Sequence, residues 1–160
     1  MGLFDVFKKK GIVISAPMTG RCVSIKSVSD PTFSEEILGK GVAIMPEDGR
    51  VYAPAGGVIT TIFSTGHAVG MTTDDGVELL IHVGIDTVAL KGEGFHIIAK
   101  EEQKVKKGDL LIEADLEKIK AAGYDVITPI VVCNTAEYSE ILGYTDIEVN
   151  AGDEILDVKK

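Results

Sequence analysis

Apolar and polar residues alternate in short runs along most of this chain. Runs rich in Val, Ile and Thr are separated by Gly, Asp and Pro, the pattern of half-buried strands joined by tight turns. It predicts strands over residues 12–16, 21–28, 42–45, 51–53, 58–63, 68–73 and 77–83, and then over 104–105, 110–115, 127–132, 147–149 and 155–158. Asp48-Gly49 and Asp75-Gly76 read as two-residue hairpin turns, because glycine supplies the positive φ of a type I′ turn. Helix is predicted only over 116–122, stopped by Gly123, and over a second short stretch at 136–142. Many short strands with one or two short helices predict an all-β fold, an antiparallel β-sandwich or barrel. Two segments echo others: Ala16-Pro17-Met18-Thr19-Gly20 returns as Ala53-Pro54-Ala55-Gly56-Gly57, and Val105-Lys106-Lys107-Gly108-Asp109 returns as Val149-Asn150-Ala151-Gly152-Asp153. Either the chain reuses one turn chemistry or the sandwich is internally duplicated.

Composition narrows the picture. The 160 residues suit a single domain, placed here at 12–160. Residues 1–11 read as a separate leader. Leu3, Phe4 and Phe7 fall on one side of a helical turn, followed by Lys8, Lys9 and Lys10. So short a helix is marginal in water, so the leader is either a flexible tail or a weak contact to an anionic membrane surface. Val6 breaks the myristoylation pattern. The net charge of −9 argues against nucleic acid as a partner and favours a basic protein surface. No apolar run approaches the ~18 residues of a membrane span and no signal peptide is visible, so a cytoplasmic protein is expected. Cys22 and Cys133 are far apart in sequence and read as two buried thiols, Cys133 at the end of an apolar core strand.

Three histidines occur, His67, His82 and His96. His82 interrupts the apolar run Leu79-Leu80-Ile81-His82-Val83. Strand alternation puts Leu80 and His82 on one face and Leu79, Ile81 and Val83 on the other. A two-residue turn at Asp75-Gly76 sets residue 69 opposite 82 and residue 67 opposite 84, so His67 and His82 fall about one pleat apart on paired strands, close enough for their rings to meet. Three readings are open on these residues alone. The histidines are structural, or they carry out phosphoryl transfer to nitrogen, for which a neutral imidazole is a competent nucleophile. In the third reading they begin a zinc site, which needs at least one more protein ligand.

The segment Gly76–Val88 resembles the active-site signature of the glucose-family enzyme IIA of the bacterial sugar phosphotransferase system, with His82 at the signature histidine and Gly84 and Thr87 at its later fixed positions. The resemblance runs over nearly the whole chain and includes Met1-Gly2-Leu3-Phe4-Asp5, both Ala-Pro turns, Thr65-Gly66-His67-Ala68 and Leu90-Lys91-Gly92-Glu93-Gly94-Phe95. It implies an antiparallel sandwich of the barrel-sandwich hybrid type. It also implies a phosphocarrier that takes a phosphoryl group from the histidine protein HPr onto His82 and passes it to a cysteine of the enzyme IIB component of a permease. His67 is implied as the partner imidazole that supports the phosphoryl group, and Thr65 as the residue that orients it. Phe33, Ile37, Phe63 and Val88 match an apolar docking ring, and Asp30 and Asp86 match acidic positions that meet arginines of HPr and enzyme IIB. No cofactor is required. Zinc between His67 and His82 is conceivable where a partner supplies a further ligand. Regulated proteins outside the phosphotransferase system are conceivable partners too, and a purely regulatory module is the rival reading. His96 matches no active-site position and is expected at the surface.

Overall fold

The computed structural model describes residues 11–160, so the expectations for the leader lie outside the described residues apart from Gly11. Among the described residues, fourteen strands form three sheets, and every pairing is antiparallel. In chain order they are β1 (Ile12–Ser15), β2 (Gly20–Ser24), β3 (Lys40–Pro46), β4 (Arg50–Tyr52), β5 (Gly57–Ile62), β6 (Ala68–Thr73) and β7 (Glu78–His82), then β8 (Phe95–Ile97), β9 (Lys104–Val105), β10 (Leu110–Ala114), β11 (Thr128–Val132), β12 (Glu140–Gly143), β13 (Ile147–Val149) and β14 (Glu154–Lys159). The large sheet has eight strands in the order β13-β2-β3-β11-β7-β6-β5-β9. Two three-stranded sheets, β1-β14-β12 and β4-β10-β8, complete the sandwich. One apolar core lies between, drawing Ile44, Ile59, Ile81 and Ile130 from the large sheet and Ile14, Leu111, Ile112 and Leu156 from the small ones. No helix among the described residues is long and apolar enough to cross a membrane.

The sheet orders reveal a duplication. Read inward from its two edges, the large sheet gives β13-β2-β3-β11 and β9-β5-β6-β7, and the small sheets correspond as β1-β14-β12 and β4-β10-β8. One half is therefore the continuous run β4 to β10, inserted between β3 and β11 of the other. The sequence echoes mark where the halves clasp. Ser15 N–H donates to the Pro54 carbonyl (2.9 Å) and Tyr52 N–H to the Pro17 carbonyl (2.8 Å). Within the outer half Gly152 N–H donates to Ala16, and within the inner half Gly108 N–H donates to Ala53, both at 2.9 Å. Within each turn a carboxylate accepts a backbone N–H, Asn150 to Asp153 and Lys106 to Asp109, each at 2.8 Å. Of the two readings of these echoes, the duplicated sandwich is the one the topology supports.

Several expectations are corrected. Asp48-Gly49 is not a hairpin, because β3 and β4 lie in different sheets; Gly49 lacks a positive φ, and its carbonyl accepts the Ala114 N–H (2.8 Å) instead. Asp75-Gly76 does join a hairpin, β6 to β7, but Thr73 N–H bonds the Val77 carbonyl across three intervening residues, with Gly76 at φ +92°. The longer loop slides the register by one residue, so Ala68, not residue 69, faces His82. The strand predicted over 21–28 ends at Ser24, whose hydroxyl accepts the Lys26 N–H and starts a turn of 3-10 helix at Ile25–Ser27. The helix expected at 136–142 is absent: a 3-10 turn at Thr135–Glu137 leads into β12, held by its ladder to β14. Cys22 is buried as expected, but Cys133 lies just past the end of β11 and is exposed. Strand β8 carried no alternation strong enough to be predicted. The helix Leu116–Ala121 forms as expected, capped by Asp115 and followed by Gly123 at φ +92°.

Candidate functional site

Alternation along β7 places the key side chains. Leu79, Ile81 and Val83 are buried in the core, whereas Leu80 and His82 turn to the outer face of the large sheet. The neighbouring outer-face residues Ala43 and Val131 lie under the connection from β2 to β3, which packs Ile25, Val28 and Phe33 over them in a second apolar cluster. That connection includes the short helix Pro31–Ser34, capped at its start by Asp30, whose carboxylate accepts the Thr32 N–H (2.9 Å). It brings the Phe33 ring to 5.1 Å from the His82 ring. On the other side, the connection from β5 to β6 turns through Gly66 at φ +74° and delivers His67 one residue before β6 begins.

The two imidazoles meet edge to face with centroids 5.0 Å apart. Phe63 packs against His67 at 5.2 Å, so ring contacts link Phe33 to His82, His82 to His67 and His67 to Phe63. Thr65 Oγ1 lies 2.5 Å from His67 Nδ1, and His82 Nδ1 donates to the Gly84 carbonyl at 2.7 Å. With both Nδ1 atoms engaged, the Nε2 atoms are the ring nitrogens left for an incoming group. Val83 N–H donates to the His67 carbonyl (2.7 Å), which ties the backbones of the two histidines together.

Electrostatics favours two neutral rings. Burial, and then the neighbouring His82, depress the His67 pKa to about 4. Burial also lowers that of His82, opposed by the Gly84 carbonyl and by the charges of Asp30 and Asp86. A neutral imidazole keeps the lone pair that nucleophilic attack requires.

The structure therefore brings Thr65, His67, His82, Phe33 and Phe63 into one cluster, with Asp30 and Asp86 close enough to act on His82 through charge. Phe33 is buried, whereas Phe63, Ile37 and Val88 are exposed. His96 is exposed on β8, as expected. Among the described residues no group of three His, Cys, Asp or Glu side chains is placed to hold a metal. Sequence reasoning missed the Gly84 carbonyl as the partner of His82, since a backbone acceptor leaves no side chain to notice. It also passed over the buried hydroxyl of Thr87, although the signature threonine was the available signal.

Comparison with known proteins gives a consistent set of likenesses. Residues 12–138 match the family model described as phosphoenolpyruvate-dependent sugar phosphotransferase system, EIIA 1. The chain is 46% identical to the glucose-specific EIIA component of Haemophilus influenzae, over 98% of this chain and 97% of that protein. It is 52% identical, over 79% of its length, to the β-glucoside-specific EIIBCA component of Bacillus subtilis, but spans only 21% of that longer protein. The glucose permease IIA of Mycoplasma capricolum superposes with a TM-score of 0.85 at 34% identity, covering 98% of this chain and 99% of that one.

Proposed function

Because the chain belongs to the EIIA 1 family of the phosphoenolpyruvate-dependent sugar phosphotransferase system, we propose that it relays a phosphoryl group held on His82 Nε2. The observation that carries this reading is the pair of imidazoles 5.0 Å apart, each held at Nδ1 by a fixed oxygen.

The donor is phospho-HPr. The His82 Nε2 lone pair attacks phosphorus, a new N–P bond forms, and the N–P bond to the HPr histidine breaks with its electron pair returning to that ring. The His82 ring becomes cationic as the bond forms, and the Gly84 carbonyl, already accepting its Nδ1–H, stabilises that charge. Thr65 donates its hydroxyl proton to His67 Nδ1, which leaves Nε2–H of His67 to donate to a phosphoryl oxygen. In the second step a thiolate of enzyme IIB attacks the same phosphorus and the N–P bond to His82 breaks. The fused EIIBCA relatives support an enzyme IIB partner. The apolar residues Phe33, Ile37, Phe63 and Val88 exclude water from the transfer and so suppress hydrolysis, while Asp30 and Asp86 meet basic residues of the partners. The working place is the cytoplasmic side of the permease. Zinc, if it binds, finds only two nitrogens here, half of a tetrahedral shell, so a partner has to complete the site.

Incubation with phosphoenolpyruvate, enzyme I and HPr tests the assignment. One acid-labile phosphate per chain is expected, and none on His82→Gln. Wild-type labelling of that variant would overturn it.

A further inference from the structure

Thr87 is fully buried, although it opens a short 3-10 turn that ends at the surface. Both branches of its side chain are engaged. Its hydroxyl donates to the Val83 carbonyl at 2.6 Å. Its methyl carbon lies 2.5 Å from the point where a Cβ on Gly84 would sit, so it fills the space that glycine leaves. Gly84 has a φ of +76°, a conformation with few intrinsic restraints at a glycine. Its carbonyl is the one that accepts the His82 Nδ1–H. The N–H of the same peptide plane, of Ile85, is held by the Asp125 carbonyl at 3.0 Å. On the other side of Gly84, the Val83 carbonyl accepts from the Thr87 hydroxyl, and the Val83 N–H donates to the His67 carbonyl.

The carbonyl that engages His82 Nδ1 therefore belongs to a glycine clamped from two sides, by Asp125 and by Thr87. We propose that Thr87 is a positioning residue for the transfer reaction: it holds the Val83–Gly84 backbone so that the Gly84 carbonyl faces His82 Nδ1 and Nε2 remains the nucleophilic nitrogen. The hydroxyl is the operative group. Without it the buried Val83 carbonyl loses its partner and has to tilt toward another donor, and the glycine beside it offers little resistance. Once the Gly84 carbonyl swings away, the proton of the neutral ring is free to move to Nε2, where it occupies the lone pair that attacks phosphorus. The inference rests on His82 as the phosphoryl acceptor, but its first readout does not.

Nitrogen-15 NMR of the free protein reports which nitrogen of His82 carries the proton, and phosphorylation by phospho-HPr reports the rate. Wild type is expected in the Nδ1–H form. Thr87→Val, which keeps the shape and loses the hydroxyl, is expected to gain the Nε2–H form and to accept phosphate roughly two- to tenfold more slowly, the range set by one neutral hydrogen bond. Thr87→Ser keeps the hydroxyl and should retain the wild-type tautomer, whereas Thr87→Ala should not. That pair decides the question even if Thr87→Val does not fold. An unchanged tautomer in Thr87→Val, or identical tautomer populations in the Ser and Ala variants, would overturn the proposal. A merely structural threonine would lower the melting temperature in these variants without moving the proton. A shifted tautomer with an unchanged rate would uphold the grip on the imidazole and count against His82 as the acceptor.

Discussion

His67 and His82 are neighbours with unequal surroundings, and those of His67 make predictions of their own. In the proposed relay His67 donates to a phosphoryl group that it does not carry, so His67→Gln is expected to accept phosphate and pass it on poorly. A hydrogen bond to a charged group is worth roughly 1.5–3 kcal/mol, so transfer to enzyme IIB should slow by about ten- to a hundredfold; normal onward transfer would remove the role. His67 also predicts a pH dependence of stability. Its folded pKa lies near 4, against about 6.5 for an unfolded imidazole. Between those values the unfolded chain binds a proton that the folded one does not, so stability falls as pH drops from about 6.5 to 4 and this contribution levels off below that. The slope from one group is at most about 1.4 kcal/mol per pH unit. Urea midpoints across that range should fall less steeply for His67→Gln than for wild type, and parallel curves would show that burial of His67 plays no part. Much of this residue-level picture was legible. Alternation alone put His82 opposite Leu79, Ile81 and Val83, and the resemblance supplied Thr65. The Gly84 carbonyl and the depth of Thr87 were not legible, because both depend on how the backbone turns after β7.

At the level of elements, the two Asp-Gly pairs look alike in sequence and do different work. Gly76 needs its positive φ to close the β6–β7 loop, and a Cβ there would meet nothing within 4 Å. Gly49 has no such conformation, but a Cβ on it would run into the carbonyl of Ala114 on β10. Gly76→Ala should therefore cost about 1 kcal/mol through strain alone. Gly49→Ala should cost more, because β4 and β10 have to separate to admit the methyl group. Chemical denaturation of the two variants checks the order, and a larger loss for Gly76→Ala would reverse the account. The strand pattern was legible wherever one face was buried and the other was not, as in β7. It failed at β8 and β12, which are short edge strands defined by their partners more than by their own residues. A dipeptide also cannot say which strands its turn will join. That is why Asp48-Gly49 passed for a hairpin, and why the β6–β7 register came out one residue off.

For the whole molecule, the docking face and the duplication both matter. Asp30 and Asp86 act on His82 through charge, in a chain of net charge −9, and belong to the proposed docking surface. They should guide basic partners into register more than they add affinity. Asp86→Lys is expected to slow phosphorylation by HPr several-fold at low salt and much less at high salt, where charges are screened beyond about 8–10 Å. The fold should be unaffected, since a surface charge contributes little to stability. Rates measured at two ionic strengths test this, and an identical salt dependence for both proteins would place Asp86 outside the docking surface. The two echoes in the sequence pointed toward the duplication, but the nested pairing of its halves involves contacts too distant in sequence for periodicity to report. That nesting governs the order in which the protein can take shape as it is made. β1 is an edge strand whose one neighbour is β14, the last strand of the domain. On a ribosome adding about 5–20 residues per second, β1, β2 and β3 emerge first and wait while the whole inner half, β4 to β10, is synthesised. The inner half can pair its own strands, yet β7 still lacks β11 and the clasping turns at Ala16 and Gly152 are not closed. Nascent chains stalled before β14 should therefore remain sensitive to protease at β1 and gain full resistance only once that strand is free.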